Sequence, residues 1–387
     1  MANINGLFSD FLSEIRLTPN QKSDLKTGHT TLRNRLNADA DLSSVVVSTF
    51  LQGSYKRSTA VRPSGGKRAD VDIIIVTNLD RFNVTPHQAL EKFEPFVKKH
   101  YDGKYRIQGR SIGIELSYVD LDIVITSAPS EIEQTNLRSK SVTSDLMLED
   151  LQVGSYDLRF NKAWTEPDIM KGGYISLSEA VRAQAEWKSE ALWIPDRDAD
   201  KWEQTDPLEQ IKWTRDKNKN TNKHYINVVK ALKWWKLVRL VDLKHPKGYP
   251  IEHMVGDNCP DDITSVGEGV CLTLEAIVSN YANDYYWTRV PVLADRGVPT
   301  HNVWKRITWE DFKTFYENVK TYAAIAREAL DATSLKVLAD KWREIFGSKF
   351  PEGPDDDGGT GNKSGGSGPT GFSDRTAPTN PGRQTFA

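Results

Sequence analysis

The sequence predicts an α/β domain followed by a mostly helical domain and a structureless tail. Three observations carry that expectation. Two apolar, β-rich runs each hold a pair of aspartates: Asp70-Val71-Asp72-Ile73-Ile74-Ile75-Val76, and Val119-Asp120-Leu121-Asp122-Ile123-Val124-Ile125. From about residue 208 the apolar residues recur at helical rather than alternating spacing. From Pro351 the chain turns to Gly, Pro, Ser and Thr, with too few apolar side chains to bury a core. A chain of 387 residues is long enough for two domains. The expected division is 1–190, 191–350 and a disordered tail over 351–387.

The elements follow in order. Thr18-Pro19 is a helix start signal, and Leu25, Leu32 and Leu36 among polar residues predict one long amphipathic helix over 17–38. Val45–Gln52 is β-rich, and Arg57–Arg68, with Pro and two Gly, reads as a loop. Asp70–Thr77 is a strand and Pro86–His100 a helix. Tyr105–Gln108, Gly113–Val119 and Leu121–Thr126 complete a small sheet. Residues 127–180 are irregular. Trp193-Ile194-Pro195-Asp196 and Asp206-Pro207 read as connector turns. Leu208–Lys236, Cys271–Ala282, Trp309–Ala332 and Leu335–Phe346 carry helical patterns.

Composition narrows the function classes. The chain is 38% hydrophobic and 27% charged, with a formal net charge of −2 and a mean hydropathy of −0.55. No global basic field exists to hold a long nucleic acid template. No apolar run approaches the roughly 18 residues of a membrane span, and the N-terminus lacks a leader pattern. With only Cys259 and Cys271 there is no disulfide framework, and a cytoplasmic setting fits. Those two thiols and His253 lack the spacing of a structural zinc site.

The aspartates carry the chemistry. A carboxylate in an apolar strand is costly unless paired or bound to a cation. Strand alternation puts Asp70 and Asp72 on one face, with Val71, Ile73 and Ile75 turned to the core. Asp120 and Asp122 share a face by the same rule. If the strands are neighbours the carboxylates converge, which suits a two-metal phosphoryl or nucleotidyl transfer. Exposed edge carboxylates are the simpler alternative. Gly53-Ser54 opens a turn into a short helix, where glycine permits close approach of a phosphate.

These motifs resemble the polymerase-β-type nucleotidyltransferases: Gly53-Ser54, then Asp70-Val71-Asp72 on a strand, then a third aspartate on a later strand. Lys247-Gly248-Tyr249-Pro250-Ile251-Glu252-His253, with Phe50–Ser54 and Leu232–Lys236, is similar to the bacterial CD-NTases, particularly the branch called clade D. Cyclic GMP–AMP synthase and oligoadenylate synthetase are relatives. The resemblance covers about residues 5–350 and implies a nucleotidyltransferase core, a helical C-terminal lobe and a long N-terminal helix bridging them. It implies two Mg²⁺ ions, or Mn²⁺, on Asp70, Asp72 and Asp122, with Asp120 the rival for the third place. Asp122 would also take the proton of the attacking hydroxyl. It implies nucleotide contacts from Gln52, Gly53, Ser54, Lys233, Gly248 and Tyr249. Lys233 would meet the donor triphosphate and Tyr249 would stack on its base. Lys230 and Lys236, on the same helix, are read as solvated lysines. Gly248 stands where some relatives have serine.

The activity so implied is synthesis of a cyclic di- or trinucleotide from ATP, with GTP as a further candidate substrate. An adenosine-rich cyclic trinucleotide acting on a downstream effector in CBASS anti-phage defence is the favoured product. A linear oligoadenylate synthase, an enzyme modifying a macromolecule or small molecule, and a non-catalytic nucleotide-sensing scaffold are the alternatives. Some relatives are conjugated through their C-terminal residue by an E1/E2-like enzyme, which here would be Ala387.

Overall fold

The computed structural model describes residues 4–135, 137 and 190–354. Ala387 and residues 355–386 of the expected tail lie outside the described residues, as does most of 127–180. Five strands form a mixed sheet. They are β1 (Val46–Gln52), β2 (Asp70–Thr77), β3 (Tyr105–Ile107), β4 (Ile112–Glu115) and β5 (Asp120–Ile125), in the order β1-β2-β5-β4-β3. The two aspartate-bearing strands are parallel neighbours in direct register, Asp70 opposite Asp120 and Asp72 opposite Asp122. On one face Val71, Ile73 and Ile75 join Leu121, Ile123 and Ile125 in a core. The other face packs Phe50, Ile74, Val76 and Val124. Alternation therefore puts the aspartates on this second face, where the strands begin.

The N-terminal helix is two helices, α1 (Ile4–Ile15) and α2 (Pro19–Ala38). Thr18 caps α2: its Oγ1 accepts from the Gln21 amide at 3.1 Å, and Gln21 Oε1 accepts from the Thr18 amide at 2.9 Å. Leu25, Leu32 and Leu36 of α2 pack on the sheet. Leu7, Phe8, Phe11, Leu12 and Ile15 of α1 pack instead into the C-terminal helices. The bridge between the two regions is thus a helix pair broken at Arg16–Thr18 rather than one rod. Helix α3 (Gly53–Lys56) follows β1, and the expected helix over 86–100 is α4 (Pro86–Glu91) and α5 (Glu94–Tyr101).

One expected turn is a strand. Trp193-Ile194-Pro195-Asp196 lies in β6 (Leu192–Asp196), paired antiparallel with β7 (Lys201–Thr205). Leu192 packs with Phe50, Ile74 and Val76, so this hairpin is attached to the sheet. Pro195 misleads as a turn signal because a two-stranded hairpin has only edges, where a missing amide is tolerated. Asp206 and Pro207 are the cap and first residue of α6 (Pro207–Asn220), with Asp206 Oδ1 accepting from the Glu209 amide at 2.9 Å.

Helices α7 (Tyr225–Arg239), α8 (Gly248–Asn258), α9 (Val266–Asn280), α10 (Ala282–Tyr286), α11 (Trp309–Asp331) and α12 (Leu335–Phe346) follow. Trp235 of α7, Trp342 of α12 and Trp304, in the turn before α11, are among the largest fully buried side chains of this region. Phe11 of α1 stacks on Phe346 of α12 at 4.5 Å between centroids and 24° between planes. Replacing a fully buried Phe by Ala removes its transfer energy and leaves a cavity. Phe11→Ala is expected to cost about 3–4 kcal/mol, read as a lower urea midpoint with an unchanged slope. An unmoved midpoint would mean that α1 does not close this core. No described helix is long and apolar enough to cross a membrane.

Candidate active site

The site forms where β1 ends and β2 and β5 begin. Gln52 closes β1 opposite Asp72. The chain then turns through Gly53 at φ +72° into α3. A side chain at Gly53 would put its Cβ 1.7 Å from Asp72 Oδ2, so the turn lies directly against that carboxylate. A cavity of about 430 Å³ opens here. Gln52, Gly53, Ser54, Asp70, Asp72, Lys233, Gly248 and Tyr249 all line it, together with Arg57 and Gln210. Eight of the nine residues expected from the sequence are therefore brought together. Asp122 is not on the wall but sits beside it, in register with Asp72.

The carboxylates are held against their charge. Burial, then Asp70 and Asp122, push the Asp72 carboxyl up to about 7, although Arg57 and Lys233 pull the other way. Asp122 is raised too, by burial and by Asp70, against a hydrogen bond with Ser111. Among the described residues its Oδ1 is buried with no hydrogen-bond partner. Asp120 differs, because Arg68 Nε donates to its Oδ1 at 2.7 Å. The orphan oxygen and the mutual repulsion make Asp122 the fitter of the two for a cation.

That donor set fits a hard divalent ion. Among the described residues no group of three or more His, Cys, Asp or Glu side chains forms a ready-made metal site. Mg²⁺ does not need one, since it keeps waters and takes phosphate oxygens alongside one or two carboxylates.

Lys233 reaches in from α7. Its Nζ donates to the Thr59 carbonyl at 2.9 Å and lies 3.9 Å from Glu252 Oε2. Burial lowers its ammonium, while Glu252 supports the charged form. Gly248 lies beside it, and a Cβ there would meet Lys233 Cε at 3.6 Å, an ordinary contact. Tyr249 is held by its phenol, which donates to Asp295 Oδ2 at 3.2 Å. The Arg57 guanidinium stands 5.0 Å from its ring centroid. Lys230 is not the solvated lysine its sequence context suggests, being 2% exposed in the helical core. His253 is buried, with Nδ1 3.1 Å from Asp257 Oδ2. Cys259 and Cys271 are buried free thiols.

Sequence reasoning passed over Arg57, Thr59 and Glu252. Arg57 Nε donates to Glu252 Oε1 at 2.6 Å, and Thr59 Oγ1 donates to Glu252 Oε2 at 2.7 Å. Glu252 stands in the motif around Tyr249, and a carboxylate between Ile251 and His253, in a run that goes on to Met254 and Val255, was the available signal. A second cavity of about 390 Å³ adjoins the first and shares Gln210 and Tyr249 with it.

Paired carboxylates at the mouth of a cleft, with a glycine turn, a buried lysine and a held aromatic ring, make a nucleotidyltransferase layout. The comparisons agree. The profile of the Second Messenger Oligonucleotide or Dinucleotide Synthetase domain matches residues 1–126. A probable cyclic AMP-AMP-GMP nucleotide synthase of Salmonella paratyphi B is 45% identical, over 98% of this chain and 97% of that protein. The cyclic AMP-AMP-GMP synthase of Enterobacter hormaechei subsp. hoffmannii is also 45% identical, over 91% of this chain and 94% of the other. The structure of the CD-NTase CdnG of Bradyrhizobium diazoefficiens in complex with GTP superposes with a TM-score of 0.63. At 11% identity, covering 90% of this chain and 96% of that one, it speaks for the fold alone. The chain belongs to the bacterial CD-NTases, the cyclic-oligonucleotide synthases.

Proposed function

We infer that this chain joins ATP, with GTP as second substrate, into an adenosine-rich cyclic trinucleotide. The observation that carries the chemistry is the register of β2 and β5, which sets Asp72 beside Asp122 at the edge of a cleft also lined by Ser54, Lys233 and Tyr249. The bases rest on the two relatives named cyclic AMP-AMP-GMP synthases. A role in anti-phage signalling through a downstream effector, and conjugation of Ala387 by an E1/E2-like enzyme, belong to the same proposal.

In this reading Asp70, Asp72 and Asp122 hold Mg²⁺, which supplies Lewis-acid polarisation of the α-phosphate and acidifies the attacking hydroxyl. Ser54 and the turn at Gly53 receive the donor's outer phosphates. Lys233 offsets their charge, and Tyr249 presents a π-face to the donor base. A 2′- or 3′-hydroxyl of the acceptor attacks the α-phosphorus. The new P–O bond forms as the bond to the β-phosphate oxygen breaks, and pyrophosphate leaves. Asp122, whose carboxylate is raised by burial, accepts the hydroxyl proton. Repetition and a final intramolecular attack close the ring.

The test is incubation with Mg²⁺ and all four NTPs, one labelled on the α-phosphate at a time, followed by phosphatase. A resistant labelled product that needs ATP is expected, and it is expected to be absent from the Asp70→Ala/Asp72→Ala protein. Products that phosphatase degrades would favour the linear synthase. Label on a macromolecule alone would sink the oligonucleotide reading.

A further inference from the structure

We propose that Glu252 is a positioning residue that holds the phosphate-binding and base-binding sides of the cleft in one register. The proposal rests on the nucleotidyltransferase reading of that cleft. Glu252 is 2% exposed and lies on α8, three residues beyond Tyr249. Its carboxylate spans the two regions of the chain. On one side it accepts from Arg57 and Thr59, which directly follow α3. On the other it lies 3.9 Å from Lys233 Nζ of α7.

Each of its neighbours leads to an expected nucleotide contact. Thr59 donates its amide to the Ser54 carbonyl at 2.9 Å, which closes the turn that begins at Gly53. The Thr59 carbonyl also accepts from Lys233 Nζ, so Thr59 ties Ser54 and Lys233 together. Arg57, fixed by Glu252, lies over the Tyr249 ring. One carboxylate thus orients Ser54, Lys233 and Tyr249 without lining the cavity itself, whereas Arg57 does line it.

Charge gives the second argument. Two cations, Arg57 and Lys233, share one buried anion. The remaining positive charge faces the cleft, where a polyphosphate would lie. Without Glu252 the two cations repel each other, and burial already disfavours the ammonium. A buried ion pair is weak grounds for a purely stabilising role, because apolar residues of equal volume do as well. Supporting the contacts of a binding site is what such a network does better than an apolar cluster. The other face of the pair is equally committed: the Tyr225 hydroxyl donates to the Glu252 carbonyl at 3.2 Å, fixing the helix turn from which the side chain projects.

The experiment compares wild type, Glu252→Gln, Thr59→Val, Tyr249→Ala and the Glu252→Gln/Tyr249→Ala double variant. Steady-state ATP turnover is measured together with calorimetric affinity for a non-hydrolysable ATP analogue and the melting temperature. Glu252→Gln keeps the shape and one acceptor but removes the charge. The expected result is a KM for ATP, and a Kd for the analogue, raised about ten-fold, with kcat within about three-fold. The double variant should be worse than Tyr249→Ala by clearly less than the ten-fold of Glu252→Gln alone, because Glu252 acts partly through that ring and partly through Ser54 and Lys233. Thr59→Val, which keeps every charge, should raise both constants about three-fold. It carries the test if Glu252→Gln does not fold. A lower melting temperature with unchanged KM and Kd would overturn the proposal and leave a structural ion pair. Full additivity in the double variant would overturn the route through Tyr249. If wild type makes no oligonucleotide yet the analogue binds with this dependence on Glu252, the reaction assignment fails and the positioning role stands.

Discussion

Asp72→Asn is expected to abolish nucleotide joining, by about 10³-fold or more, and at the same time to stabilise the protein at alkaline pH. The two effects have one cause. Asp72 sits half-buried beside Asp70 and Asp122 with a carboxyl raised to about 7, against an ordinary value of 3.8. A carboxyl whose folded value is raised binds its proton more tightly in the folded chain. Its contribution to stability is therefore complete below about 4 and is lost as the pH rises through about 7. At pH 8 the folded protein carries the full cost of the ionised group. Asparagine removes that cost, so the variant should melt a few degrees higher, roughly 2 °C, at pH 8. The difference should vanish as the pH falls toward 4. Partial exposure and solvent screening keep the gain small.

Metal gives a separate readout. Anything that binds the folded chain alone stabilises it by mass action. Millimolar Mg²⁺ should raise the melting temperature of wild type at pH 8 and leave that of Asp72→Asn nearly unmoved. Mn²⁺ should act in the same sense. Equal shifts in both proteins would place the ion elsewhere. An active Asp72→Asn protein would remove Asp72 from the chemistry altogether.

What was legible in the sequence was the part written in local pattern. The Asp-x-Asp alternation could be read because Val71, Ile73 and Ile75 mark the core face, and the aspartates fall on the other parity. The pairing of β2 with β5 required the fold, but its consequence was visible as two strands with one design. Helix α12 was legible because the chain gives it a serine cap, a steady apolar stripe and a terminal glycine. Helix α1 carried a readable stripe in Leu7, Phe8, Phe11, Leu12 and Ile15 that the long-helix reading of 17–38 left aside. The break between α4 and α5 falls at Lys92–Phe93, and Pro95 stands in the first turn of α5, where a missing amide costs nothing but from which it could not have continued the α4 ladder. Other features were not local at all. Arg57 and Glu252 are 195 positions apart, and no spacing rule joins them. Lys230 and Lys233 differ in sequence only by their place on one turn. Both prove to be well buried, and only the fold turns Lys233 toward the cleft.

Gly53→Ala should be nearly as damaging as loss of a carboxylate, and it tests the geometry rather than the charge. The residue sits at φ +72°, a left-handed conformation that costs a non-glycine residue about 1–2 kcal/mol. Its added methyl would also meet Asp72 Oδ2 at 1.7 Å, far inside contact distance. Either the turn opens, moving Ser54, or the Asp72 carboxylate swings away from Asp122. Both outcomes misplace a group by about an ångström, a displacement that costs on the order of 10²-fold in rate. Gly65 supplies the control. It has a similar φ of +64° but, among the described residues, nothing within 4 Å of its Cβ position. Gly65→Ala should therefore lower the melting temperature by a comparable amount while keeping turnover within about three-fold. A Gly53→Ala protein that melts like Gly65→Ala and turns over like wild type would show that the close approach of the turn to Asp72 is incidental. Loss of turnover in Gly53→Ala alone would tie the rate to that approach, because backbone strain is common to both variants and the contact with Asp72 belongs to one.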